Sequence, residues 1–292
     1  MKPSTFSIVA ADLAAGELGV AVQSKFLAVG AAVPWLEGGV GAVATQAWAN
    51  TSYGPRGLAL LRAGSSPREA IDVLVAEDEG RSRRQIGIVD ARGKSATYTG
   101  EECTDWAGGV CGDGFAAQGN ILAGSAVVDG LVDGFLRTQG TLAQRLLAAL
   151  RAAQRAGGDK RGQQSAALVV VKPNGGYGGY NDRYIDLRVD DALEPIEQLA
   201  HLLDLHNLYF APPKPADILK IDDAIGAELV DILVKFGALA KGHRQFDKAA
   251  FDAFERMMGV ENLEERLRND GTVDRQTLEY FREKLARSVV SR

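Results

Sequence analysis

Apolar residues follow two different periods along this chain. Up to about residue 190, short runs rich in Val, Ile and Ala are bounded by Gly, Asp and Asn, the pattern of strands and tight turns. Between these runs, and throughout the last third, apolar residues recur at three- and four-residue spacing, the pattern of amphipathic helices. The clearest strand pair comes first. Thr5-Phe-Ser-Ile-Val-Ala-Ala-Asp12 and Glu17-Leu-Gly-Val-Ala-Val-Gln-Ser24 flank a turn closed by Gly16, which predicts a β-hairpin with a loop of about four residues. Both runs are apolar almost throughout, so they are expected to be covered on both faces, inside a layered sandwich.

Further strands are predicted at Gly30–Val33 and Val40–Gln46, with Pro34-Trp35 and Gly38-Gly39 as breaks. Tyr53-Gly-Pro-Arg-Gly57 opens a short helix through Ala63. Ser66 then serves as an N-cap, with Pro67 in the first turn and Glu69 closing a capping box. Arg84–Asp90 and Ser95–Thr99 form a second hairpin, and residues 101–120 read as a loop. Two helices follow over residues 124–156, split at Gly140. Next come strands at Ser165–Lys172 and Arg183–Val189, around the Gly-Tyr loop Pro173–Tyr180, and a helix at Pro195–Tyr209. Hairpins dominate and helix pairs separate the strand groups, which predicts an α+β, four-layer αββα sandwich over residues 1–210. Ala211-Pro-Pro-Lys-Pro215 is a stiff linker, placed at residues 211–216. Helices at Ala224–Leu239, Lys248–Met258 and Thr277–Leu285 make residues 217–292 a small all-α domain.

Composition narrows the functional classes. The 292 residues carry a formal net charge of -5, with 46% hydrophobic and 24% charged residues. That balance is ordinary for a globular protein and gives no electrostatic reason to expect nucleic acid or an anionic membrane as partner. No apolar run is long enough to span a bilayer, and the first residues do not form a secretory signal, so a cytoplasmic protein is expected. Two cysteines, Cys103 and Cys111, do not make a disulfide framework. Without partners they are too few for a zinc site, and His201 and His206 are spaced to lie on different helix faces. No metal or cofactor is expected. Sandwiches with exposed helices commonly pair, which leaves a homodimer open.

The chemistry-bearing residues cluster at strand ends. Thr5 and Ser7 place hydroxyls at the start of the first strand, and Ser24-Lys25 ends the second. Thr45, Gln46, Gln118 and Asn120 are polar groups in apolar surroundings, suited either to hydrogen bonding in the core or to recognising a substrate amide.

The segments Thr5-Phe-Ser-Ile-Val-Ala, Gly19-Val-Ala-Val-Gln-Ser, Gly39-Val-Gly-Ala-Val-Ala-Thr-Gln46, Trp106-Ala-Gly, Gln118-Gly-Asn120, Gly157-Gly-Asp159 and Gln164-Ser-Ala-Ala resemble the bacterial family DUF1028 across residues 5–210. The tail, through Glu261-Asn-Leu-Glu-Glu-Arg266 and Leu278-Glu-Tyr-Phe-Arg282, is similar to a helical module labelled as peptidoglycan-binding. The first resemblance implies an N-terminal nucleophile (Ntn) hydrolase fold and cleavage of a small amide or peptide. By position it makes Thr5 the nucleophile and Lys25 the neighbouring cation, with Asp159 and Ser165 as polar support on a later strand. Ser24, Thr45, Gln46, Gln118 and Asn120 would then contact substrate. In such hydrolases the free α-amine of residue one, whose pKa is about 8 in model peptides, serves as base. Here Met1–Ser4 precede Thr5. The chemistry therefore requires cleavage at Ser4–Thr5 or Lys25 as base; otherwise the fold is retained as a non-catalytic binding protein, with the tail holding a partner or glycan.

Overall fold

The computed structural model describes residues 5–290. Two compact units divide the chain, one through Leu203 and one from Asp204. The division falls inside a helix, upstream of the Pro-rich segment.

The first unit holds two antiparallel sheets. The larger has six strands. β1 (Thr5–Asp12) and β2 (Glu17–Ser24) form the expected hairpin, with every residue from Thr5 to Asp12 paired to its opposite from Ser24 to Glu17. β7 (Gly108–Gly112) and β8 (Phe115–Asn120) lie beyond β1, while β9 (Ser165–Val171) and β10 (Arg183–Val189) lie beyond β2. The order is β10-β9-β2-β1-β8-β7. The smaller sheet runs β3 (Pro34–Glu37), β4 (Gly41–Ala47), β5 (Arg84–Asp90) and β6 (Ser95–Thr99) in that order.

Strand alternation assigns each face. Phe6, Ile8 and Ala10 of β1 turn outward, with Ala21, Leu168 and Val170, and pack under α3 (Ala126–Arg137), α4 (Leu142–Arg155) and the first turns of α5 (Pro195–Phe210). Val9, Val20 and Val22 turn inward and meet Ala42, Ala44 and Val89 of the other sheet. Val43, Ile86 and Ile88 of the smaller sheet pack under α1 (Tyr53–Arg62) and α2 (Pro67–Ala76). Helix, sheet, sheet, helix is thus the layer order. Ser66 caps α2 as its sequence predicts: its hydroxyl accepts from the Glu69 N–H and the Glu69 carboxylate accepts from the Ser66 N–H at 2.8 Å.

Two local expectations are corrected. Gly30–Val33 is not a strand; Val29–Ala31 form a 3-10 turn. Ala28 before it has φ 53°, the Val29 N–H donates to the Ser165 hydroxyl at 3.0 Å, and a Cβ on Gly30 would lie 2.7 Å from that of Ala167. Contacts to β9 override the local preference of an apolar run. Pro34-Trp35 instead opens β3, an edge strand whose first position tolerates proline. Residues 101–120 are not all loop: Gly-rich β7 and small-residue β8 form a hairpin, and β8 is β1's second neighbour.

The second unit contains α6 (Asp223–Lys235), α7 (Lys248–Val260) and α8 (Arg275–Val290), which share a core of Leu229, Leu233, Phe254, Met258 and Phe281. A two-stranded ribbon, β11 (Ile218–Lys220) with β12 (Thr272–Asp274), accompanies these helices. Arg266 is buried in an ion pair with Asp274. Its remaining N–H groups donate to the carbonyls of Leu208, Asn207 and Ala211, at the C-terminal end of α5. A guanidinium there satisfies carbonyls that the helix leaves open.

Candidate functional site

Register brings most of the predicted residues to one end of the layer between the sheets. Ser165, Ser24, Thr5 and Asn120 lie directly opposite one another across β9, β2, β1 and β8, so they share the inner face. One row deeper are Ser7 and Gln118. On the facing sheet, Gln46, Gln85 and Thr99 form a matching row, with Gly87 and Thr97 one row deeper. The interlayer is therefore apolar around Val9 and Ala44 and polar around Thr5.

The Thr5 hydroxyl is 3.0 Å from the Ser24 hydroxyl, and Thr5 is only 2% exposed. The Ser7 hydroxyl donates to Gln46 Oε1 at 2.6 Å and accepts from Gln118 Nε2 at 2.7 Å. Gln46 Nε2 donates to Gln85 Oε1 at 2.8 Å and to the Thr5 carbonyl at 3.3 Å. Asn120 Nδ2 donates to Gln85 Oε1 at 3.0 Å. Gln85 Nε2 in turn donates to the Gly119 carbonyl at 2.8 Å and the Thr99 hydroxyl at 2.9 Å. The layer is so closely packed that a Cβ on Gly87 would lie 2.1 Å from Gln118 Oε1. These side chains are all hydroxyls or carboxamides. They can orient and hydrogen-bond, but none of them can take a proton from Thr5 near neutral pH.

Lys25, Asp159 and Thr45 lie outside the row of Thr5, and Ser165, at its end, is bound to backbone. Lys25 is exposed, and its ammonium donates to the Gln163 carbonyl at 3.2 Å. Asp159 is buried and accepts from the Lys25 N–H at 2.9 Å and from Arg161. Ser165 is buried and donates to the Phe26 carbonyl while accepting from Val29. Asp159 and Ser165 thus clamp the backbone of the β2–β3 connection. Thr45, one residue from Gln46, points to the opposite face, and its hydroxyl donates to the Asn50 carbonyl at 3.2 Å. There it borders a second polar cluster. Asp78 accepts from the Tyr53 hydroxyl at 2.9 Å, Asn50 at 3.1 Å and Arg84 at 2.8 Å. The Arg84 guanidinium holds the Asp78 carboxyl well below the usual carboxylate range, while burial and Asp78 together push the Tyr53 phenol up.

Gln85, Thr97 and Thr99 escape the sequence reading. Their signal is the alternation of Gln85, Gly87 and Val89 with Ile86 and Ile88, which becomes legible once β4 is paired with β5. A cleft of about 590 Å³ lined by Arg62, Ser66, Asp90 and Lys94 lies at the other end of β5, away from Thr5. Among the described residues, no group of three His, Cys, Asp or Glu could hold a metal ion, and no helix is long and apolar enough to cross a membrane.

A two-sheet αββα domain with a hydroxyl at the head of its innermost strand, followed by a helical unit, is the class this chain defines. Residues 5–199 match the family of unknown function DUF1028, and the chain belongs to that family. Residues 209–281 match the family described as "Putative peptidoglycan binding domain". The chain is similar to protein SPO2555 from Silicibacter pomeroyi, whose crystal structure is assigned to the same DUF1028 family. Identity is 33%, with 71% of this chain and 88% of that chain covered, at a TM-score of 0.65. No curated protein matches.

Proposed function

We propose that the N-terminal domain is an amidohydrolase of Ntn type that is silent in the intact chain and is completed by hydrolysis of the Ser4–Thr5 bond. Ser4 lies outside the described residues. The observation that carries the reading is the Thr5 hydroxyl at the head of β1, 3.0 Å from Ser24 Oγ, in a layer whose described side chains include no base. Hydrolysis would free the Thr5 α-amine, a group able to act as base beside that hydroxyl. The hydroxyl proton would pass to the amine as Oγ1 bonds to the substrate carbonyl. The departing amine would take that proton, and water would then cleave the ester and restore the hydroxyl. Lys25 is given no part in this sequence, because it is exposed and its ammonium reaches the Gln163 carbonyl. The test is chain prepared with Thr5 as its first residue, treated with an acylating β-lactone. Intact mass should show one adduct, absent from uncut chain and from Thr5→Ala. A folded, cut chain that takes no adduct would refute the proposal.

A second reading is favoured by the 2% exposure of Thr5 and the outward course of Lys25: the domain holds a neutral polar ligand without turning it over. Only full-length chain in protein purified from its native host would support it. For the C-terminal unit we infer a peptidoglycan-related ligand, supported by the family match at residues 209–281. Co-sedimentation with purified sacculi tests that part.

A further inference from the structure

The C-terminal unit has a cleft of about 320 Å³ that the family match does not assign. One wall is a single stripe of α7: Ala253, Arg256, Met257 and Val260, spaced i, i+3, i+4 and i+7. The opposite wall is Phe281 and Lys284 of α8, and Phe236 at the end of α6 closes one side. The floor is apolar, and Val260 at the rim is 77% exposed.

Charge is distributed unevenly around this cleft. Lys284 is paired with Glu261, whose other oxygen accepts from the Tyr280 hydroxyl at 2.6 Å. That trio is internally balanced, and Lys284 and Tyr280 hold the Glu261 carboxyl below its ordinary range against the opposing effect of burial. Arg256 is exposed and has no ion-pair partner among the described residues. The cleft therefore offers one guanidinium outside the ion pairs of the described residues, beside an apolar floor, in a volume at the lower end of those that hold small ligands. A carboxylate suits a guanidinium through paired N–H···O bonds.

We propose that this cleft takes the free C-terminal carboxylate of a short peptide of small apolar residues, the chemistry found at the end of a peptidoglycan stem peptide, with Arg256 binding the carboxylate and the α7 stripe receiving the side chains. The choice of peptide rests on the peptidoglycan reading above; the placement of the site does not.

The experiment is an NMR titration of the full chain with N-acetyl-D-alanyl-D-alanine, its C-terminal amide and decanoate. The dipeptide should shift amides within residues 253–261 and 281–284. Arg256→Gln and the amide form should each weaken binding about tenfold, the loss expected for one charge-assisted contact. Val260→Glu, at an exposed position, should weaken binding while leaving the remaining spectrum unchanged. Absence of shifts in these segments, equal binding of the amide, no change in Arg256→Gln, or Arg256-dependent binding of decanoate alone would overturn the proposal. Pelleting with sacculi separates the two readings. Retained pelleting without dipeptide shifts discards the cleft and keeps the glycan ligand; Arg256-dependent dipeptide shifts without pelleting keep the cleft and discard the sacculus.

Discussion

The polar layer around Thr5 and the Arg266–Asp274 pair bury polar groups in opposite ways. The first spreads its hydrogen bonds over carboxamides and hydroxyls from six strands. The second concentrates two full charges at one point, with the guanidinium also bound to α5 carbonyls. When one member of a neutral network is displaced, the loss is confined to the groups left with no partner, and most here keep a second one. A buried charge has no such reserve. The described side chains of the layer are hydroxyls and carboxamides, none of which takes up a proton near neutral pH.

The largest expected break in this contrast is Arg266→Ala, which leaves Asp274 buried and unpaired. We expect a loss of about 3–5 kcal/mol in the C-terminal unit, read from hydrogen exchange of α6 and α8 amides. Gln46→Leu removes the acceptor of the Ser7 hydroxyl and one donor to Gln85. Gln85 Oε1 keeps Asn120, so the Ser7 hydroxyl is the group left short, and the expected cost is about 1–3 kcal/mol, measured by denaturant unfolding. A loss as large as that of Arg266→Ala would show that the layer is no more forgiving than the ion pair.

Gln23 sharpens the comparison in the opposite direction. It neighbours Ser24 but faces the helices, fully buried, and neither of its amide atoms has a protein partner among the described residues. Gln23→Leu should raise stability by about 1 kcal/mol, where Gln46→Leu lowers it. The smallest effect is one of pH. The folded pKa of Asp78 is lowered, so its contribution is present above the unfolded value and is lost as pH falls through the folded one. The difference in melting temperature between the parent chain and Asp78→Asn should therefore be full near neutrality and shrink on strong acidification. The gap produced by Gln46→Leu, which involves no ionisable group, should stay level over the same range.

Local chemistry was readable from residues alone where neighbours in sequence set it. The Ser66 capping box needs four residues, and the Thr5–Ser24 contact follows from one short hairpin. Gln85 and Thr99 were not readable, because their inward direction depends on β4 pairing with β5 across two intervening helices. The same holds for the turn at Val29–Ala31, which is set by a hydroxyl far along the chain, and for β8, whose Ala, Gln and Gly residues have little intrinsic strand preference. Thr45 and Gln46 look equivalent in the sequence and are separated only by strand parity. The direction of Lys25 is equally hidden from the sequence: its backbone N–H donates to Asp159 and its ammonium to the Gln163 carbonyl, both far along the chain.

The grip of Arg266 on Asn207, Leu208 and Ala211 fixes where the tail can be transplanted from. A fragment started at residue 216, past the prolines, would carry the guanidinium but leave behind three of the oxygens that neutralise its burial. Moved with its last helical turn from Asn207 onward, the tail would keep the whole fixture, so the unit of exchange between proteins is longer than its proline punctuation suggests.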